Sequence, residues 1–227
     1  MQAERITSEL VDYARDLFAP EDTELAALAQ AARDFGMPVG WEISPDVGRL
    51  FQVLCRAAGV RRVVEFGTLA GYSALWLARA LPADGRVITI EIRPDYAAFA
   101  REQLAKTEAG AKVRVRDGAA LEMLPELERE VRAQNTPFDA IFLDADKEHY
   151  PELLDWSTRV LRPGGLLLAD NVLSSTSWNG QTLLDPAAND PRILAIREFN
   201  RRLAADPRFT AIIIPMRAGI AAAVFHP

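Results

Sequence analysis

Two acidic clusters hold the residues best suited to chemistry in this chain. One is the run FLDADKEHY at 142–150, which contains Asp144, Asp146, Lys147, Glu148 and His149; the other is Asp170-Asn171, at the end of LLLADN. Each follows a short apolar run of strand type. If the two runs are adjacent strands, Asp144, Asp170 and Asn171 converge at one sheet edge. Two carboxylates and an amide carbonyl form a hard, all-oxygen set, suited to Mg²⁺, Mn²⁺ or Ca²⁺ and poorly suited to zinc. Two negative ligands roughly balance a divalent charge and leave positions for water or substrate. Any one of these acids alone could equally cap a helix or face solvent. The two strand tips together make the case for a site. His149 reads as structural or surface, Asp146 as shaping the loop, and His226 carries no role.

A second constellation is VVEFGTLAGYS at 63–73. Gly67 and Gly71 allow a sharp turn and a close ligand approach. Their spacing is not the G-x-G-x-x-G that brings a pyrophosphate to a helix N-terminus. Glu65 would repel phosphate and suits an amino or sulfonium group instead. Glu91 lies about 20 residues beyond the glycines, where a carboxylate can accept hydrogen bonds from ribose hydroxyls. The plainer alternative is a simple turn at the glycines and a solvated strand end at Glu91.

Positioning these groups requires a sheet. Strand-type runs at 63–66, 87–91, 113–116, 140–143 and 166–169 alternate with helical patterns, for example at 72–81, 95–107 and 150–161. Strands and helices of this length predict βαβ crossovers, hence a doubly wound, mostly parallel α/β sheet of Rossmann type. Such sheets bind ligands beyond their carboxyl ends. A further helix near 191–204 precedes runs at 211–215 and 219–225, which read as a hairpin with the last strand antiparallel. Before the sheet comes a helical N-terminal extension. One helix begins after Glu21-Asp22 and stops at Gly36. Another has Ser44 as N-cap, Pro45 in its first turn and Gly59 as its stop. The reading is one domain over 1–227, with a helical part at 1–59 and an α/β core at 60–227.

Composition excludes other classes. The 227 residues are 49% hydrophobic and 26% charged, ordinary for a globular chain with a substantial core. With 26 Lys+Arg against 32 Asp+Glu the net charge is −6, which disfavours nucleic acid and anionic membrane as partners. The single cysteine, Cys55, has no partner for a disulfide or a metal and reads as a small buried hydrophobe. The polar start MQAERITSEL has no signal core, and no apolar run approaches the roughly 18 residues of a membrane span. The expected location is cytoplasmic.

The motif EFGTLAGYS, an acid followed by G-x-x-x-G, with a second acid at Glu91, resembles the class I S-adenosylmethionine-dependent methyltransferases. FLDADKEHY, ADN, ISPDVGRLF at 43–51, AIREFN at 195–200 and IPMRAG at 214–219 sharpen this. Together they resemble the cation-dependent O-methyltransferases, the group of the caffeoyl-coenzyme A and catechol enzymes and their bacterial relatives, from about Trp41 to Gly219. The resemblance implies cofactor contacts at Ile43, Glu65, Gly67, Ser73, Glu91, Ala120 and Asp144, with Ala120 beside the adenine. It implies metal ligands Asp144, Asp170 and Asn171, with Asp144 and Lys147 catalytic and Lys147 the general base. It also implies a hydroxylated small-molecule acceptor and a homodimer. No DPPY-like motif favours N-methylation. Two features depart from the pattern: Trp41 stands where Met is common, and the segment at 172–177 is longer than usual. A nicotinamide-dependent oxidoreductase, or a cofactor-binding module without turnover, are the competing readings.

Overall fold

A computed structural model describes residues 6–173 and 181–227. The part of the longer segment at 174–177, and the Trp178-Asn179-Gly180 run after it, lie outside the described residues. The N-terminal extension forms α1 (Ser8–Phe18), α2 (Thr23–Phe35) and α3 (Pro45–Ala57). Then β1 (Arg62–Phe66), α4 (Tyr72–Ala80), β2 (Arg86–Glu91), α5 (Pro94–Leu104), β3 (Val113–Asp117), α6 (Ala120–Gln134), β4 (Phe138–Leu143), α7 (Tyr150–Val160) and β5 (Leu161–Ala169) alternate. The chain continues through α8 (Pro191–Ala205), β6 (Phe209–Ile214) and β7 (Ile220–Phe225).

The strands form one sheet in the order β3-β2-β1-β4-β5-β7-β6. Strands β1 to β5 are parallel. The expected hairpin is present, but β7 inserts between β5 and β6 and pairs antiparallel with both. Alternate strand residues point to opposite faces, so each strand feeds two cores. Val63, Val87 and Phe142 face α2 to α5, with Phe51 and Trp76. Val64, Ile141 and Leu167 face α6 to α8, with Trp156 and Phe199. Pro125 disguises α6 in the sequence, yet Leu124, Leu127 and Val131 keep helical spacing and are buried.

The helix signals were of unequal value. Asp22 caps α2 by accepting from the Glu24 and Leu25 amides, and Gly36 ends it at φ +87°. Ser44 has cap backbone geometry, but its hydroxyl makes no capping bond and is buried without a partner. Gly59, at φ +62°, closes α3: its amide donates to Arg56 O, and the next amide, of Val60, donates to Cys55 O. That is the six-to-one closure for which glycine is favoured. Cys55 is buried and its thiol is pushed up to about 12 by desolvation, in keeping with a packing role.

At the amino ends of the strands, Asp139 joins three segments. One of its oxygens accepts from the Arg61 and Arg62 amides at 2.8 and 2.7 Å, and the other pairs with Arg162. Arg162 also donates to Ala58 O at 2.7 Å. Asp139→Ala would strand two amides and a cation at once. It should destabilise the protein by about 2 kcal/mol, read as a lower urea midpoint. Because the cluster lies at the sheet end away from the cleft described next, cofactor affinity of the folded variant should not change.

Candidate active site

The carboxyl ends of the parallel strands open into a cleft of about 570 Å³. Its shape begins with β1. In the register Phe66 pairs with Leu143, so the chain leaves β1 and β4 side by side, and the Asp144 amide donates to Phe66 O at 2.8 Å. A Cβ at Gly67 would lie 2.2 Å from the Asp144 carbonyl oxygen, and its φ of +100° is one that side chains rarely adopt. The first glycine is therefore demanded by the neighbouring strand as well as by any ligand. Gly71, at φ +87°, starts α4 and brings Tyr72 and Ser73 to the cleft wall.

Glu91 is not a solvated strand end. It is 6% exposed and lines the cleft. One carboxylate oxygen accepts from the Thr68 and Leu69 amides at 3.2 and 2.8 Å, the other from the Arg93 amide at 3.0 Å. The glycine loop is thus tied to the tip of β2 by charge-assisted bonds, with Leu69 held at φ +50°. A carboxylate has about four acceptor sites, so one remains for a ligand hydroxyl.

Glu65 lies behind this wall. It is completely buried, does not line the cleft, and neither oxygen has a well-formed hydrogen bond. Burial pushes its carboxyl up to about 8, with the nearby Ser73 and Thr89 hydroxyls opposing. Ile43, Ser73 and Ala120 line the cleft.

The acidic end is built by β4 and β5. Asp144, Lys147 and Asn171 line the cleft, while Asp170 is 2% exposed just behind, with one oxygen accepting from the Asn171 amide at 2.7 Å. Burial pushes Asp144 up to about 6; Lys147 opposes this and the Asp170 charge adds to it. Burial raises Asp170 as well, against the pull of Lys147. Lys147 Nζ donates to Asp144 at 2.9 Å and to the Tyr150 hydroxyl at 2.8 Å. Burial works against that ammonium, but Asp144 and Tyr150 outweigh it and hold its pKa above the ordinary lysine value. The Tyr150 hydroxyl in turn donates to Leu143 O at 2.7 Å. Tyr150 was not singled out from sequence, although its place three residues after Lys147, one helical turn on, could have suggested it.

Among the described residues no group of three or more His, Cys, Asp or Glu side chains is placed to hold a metal ion. The expected set needs only two carboxylates and one amide. Asp170 is buried and Asp144 partly so; two neighbouring like charges, each made costlier by desolvation, suit a bound cation between them.

The O-methyltransferase family profile matches residues 19–224. The chain belongs to the O-methyltransferase family. This O-methyltransferase is 39% identical to the "Catechol O-methyltransferase" of Niastella koreensis, over 92% of its own length and 90% of that protein's. It is 36% identical to a putative O-methyltransferase of Mycobacteroides abscessus, over 89% and 88%. Among solved structures it resembles the O-methyltransferase TomG of Streptomyces achromogenes, involved in tomaymycin synthesis and bound to S-adenosylmethionine. That likeness has a TM-score of 0.85 and 35% identity, and covers 100% of both chains. The Bacillus cereus O-methyltransferase in complex with S-adenosylhomocysteine gives 0.82 and 34%, covering 94% of this chain and 96% of the other. The enzyme is S-adenosylmethionine-dependent and has the class I methyltransferase fold, which displaces the nicotinamide and non-catalytic readings. Among the described residues no helix of this O-methyltransferase is long and apolar enough to cross a membrane.

Proposed function

We propose that this enzyme methylates an oxygen of a small phenolic, catechol-like or other vicinal-oxygen acceptor held by a divalent cation at Asp144, Asp170 and Asn171. The observation that carries the reading is the buried Asp170 and the partly buried Asp144 at adjacent strand tips, beside Lys147 and open to the cleft through Asp144. The relative named as a catechol O-methyltransferase supports it. Mg²⁺ suits the oxygen donors best, with Mn²⁺ or Ca²⁺ as alternatives. We further propose that the chain works as one domain and assembles as a homodimer.

When bound, the cation would make an acceptor hydroxyl more acidic and S-adenosylmethionine supplies the methyl group. The chain's own residues do the rest. Glu91 accepts from the ribose, Ala120 lies against the adenine, and Ile43, Gly67 and Ser73 complete the cofactor wall. Glu65 stands behind that wall with its pKa raised by burial, so it would carry negative charge only when the cationic end of the cofactor is bound nearby to offset the desolvation. Asp144 and Asp170 supply the charge that fixes the acceptor. Lys147 would take the acceptor's proton as a neutral amine: with Asp144 drawn to the cation the lysine pKa would fall, the ammonium would give a proton to solvent, and the free amine would then accept the hydroxyl's proton. Alignment of oxygen, methyl carbon and sulfur supplies the remaining acceleration.

Glu91→Ala should weaken S-adenosylmethionine binding by about 1.5–3 kcal/mol, the range for charge-assisted bonds. Calorimetry measures this directly, and an unchanged affinity removes Glu91 from the cofactor site. The acceptor reading is tested with matched phenols. Two adjacent oxygens gain orientation and acidity from one contact, so a vicinal diphenol should react at least about tenfold more efficiently than its monohydroxy analogue. Equal kcat/KM values on the two would refute chelation while leaving methyl transfer intact.

A further inference from the structure

Trp41 is 67% exposed, yet it lines the cleft. It sits in a tight turn: Gly40 has φ +81°, and its amide donates to a Glu42 carboxylate oxygen at 3.1 Å. The Arg217 guanidinium grips this turn, donating to the carbonyl of Gly40 at 3.1 Å and to that of Glu42. Those two carbonyls bracket Trp41. Arg217 itself is anchored from the other side. It occupies the turn between β6 and β7 at φ +48°, where the Val172 and Leu173 amides donate to the Gly219 and Ala218 carbonyls. This ties the turn to the segment that follows Asp170-Asn171. Arg217 and Asn171 line the same cleft and the turn is bonded to the two residues that follow Asn171, so the clasp adjoins the acidic end of the cleft.

We propose that Trp41 is a specificity-determining residue that packs its indole against the ring of an aromatic acceptor, and that Arg217 is the positioning residue that holds it there. The proposal rests on the acceptor reading above. A planar guanidinium can grip two carbonyls at once, whereas an ammonium cannot span them with the same geometry. An exposed indole at the cleft rim offers a large apolar face for a flat ring at low entropic cost.

The test uses catechol as acceptor with purified full-length enzyme, S-adenosylmethionine and Mg²⁺. Trp41→Ala should raise the KM for catechol about tenfold, well beyond any change in kcat, while Trp41→Phe stays near the wild-type value. Arg217→Ala and Arg217→Lys should raise the same KM, with the Kd for S-adenosylmethionine changing less than about twofold. In the Trp41→Ala background, Arg217→Ala should add almost nothing, because its effect is transmitted through the indole. An unchanged KM in Trp41→Ala overturns the proposal. So does an Arg217→Ala effect of equal size in both backgrounds, or a wild-type KM in Arg217→Lys. If the wild-type enzyme turns over no diphenol at all, the acceptor reading falls and this proposal with it. Turnover with an insensitive KM removes the clasp alone.

Discussion

Gly67→Ala is expected to be among the most damaging single substitutions in this enzyme, costing about 3–5 kcal/mol. Two costs add. The new Cβ would meet the Asp144 carbonyl oxygen at 2.2 Å, and neither strand can retreat without losing the β1–β4 register. The φ of +100° adds strain of about 1–3 kcal/mol for a side-chain-bearing residue. Any protein that still folds should bind S-adenosylmethionine poorly, because the same shift displaces Asp144 and the loop held by Glu91. Urea unfolding and calorimetry give the two numbers. Loss of less than about 1 kcal/mol would show that the β1 exit is not constrained by β4.

The sequence exposes this glycine but hides its reason. G-x-x-x-G after an apolar run signals a ligand loop, and the cleft is there. The contact with Asp144, 77 positions later, depends on which strand lies beside β1, and no local pattern encodes that. The strand tips were easier to read. Apolar runs that stop at Glu91, Asp144 and Asp170 end β2, β4 and β5 at or next to those residues, because a buried parallel strand must change character where it reaches solvent or a site. Burial behind the tips was not legible: Glu65 and Asp170 look like cleft residues in sequence and stand behind its wall in the structure. Arg217 was visible only as one letter of IPMRAG. Its grip on Gly40 and Glu42 joins segments at opposite ends of the chain.

Chelation of divalent cations is the second large effect expected, lowering turnover by at least about a hundredfold, with recovery on adding Mg²⁺ or Mn²⁺. Asp170→Asn separates this from general damage. The amide keeps the volume of Asp170 and an oxygen able to accept from the Asn171 amide, but it removes the buried one of two neighbouring like charges. In metal-free buffer the variant should be at least as stable as wild type, since an uncompensated buried charge is costly. It should lose the rise in Tm that Mg²⁺ gives the wild type, because a ligand bound only by the folded state stabilises in proportion to its affinity. Full turnover of wild type in excess chelator would end the cation mechanism. A destabilised Asp170→Asn with an intact Mg²⁺ response would mean that Asp170 is structural.

The insertion of β7 between β5 and β6 has a consequence for biosynthesis. During translation the glycine loop, Glu91 and both acidic tips are made before the strand that completes their sheet. Until β7 arrives, β5 is an open edge carrying Leu166, Leu167 and Leu168, with its backbone donors and acceptors unpaired on that side. Such an edge is a template for pairing with another nascent chain. The turn before β7 also delivers Arg217, so the act that closes the edge is the one that brings Trp41's anchor to the cleft. A ribosome-bound chain halted after α8 could hold most of the cofactor wall and still lack both its protected edge and its acceptor side. Newly made enzyme should therefore be most prone to self-association in the interval between the synthesis of β5 and that of β7, and a mutation that slows β7 pairing would lengthen that interval without touching a single residue of the cofactor wall.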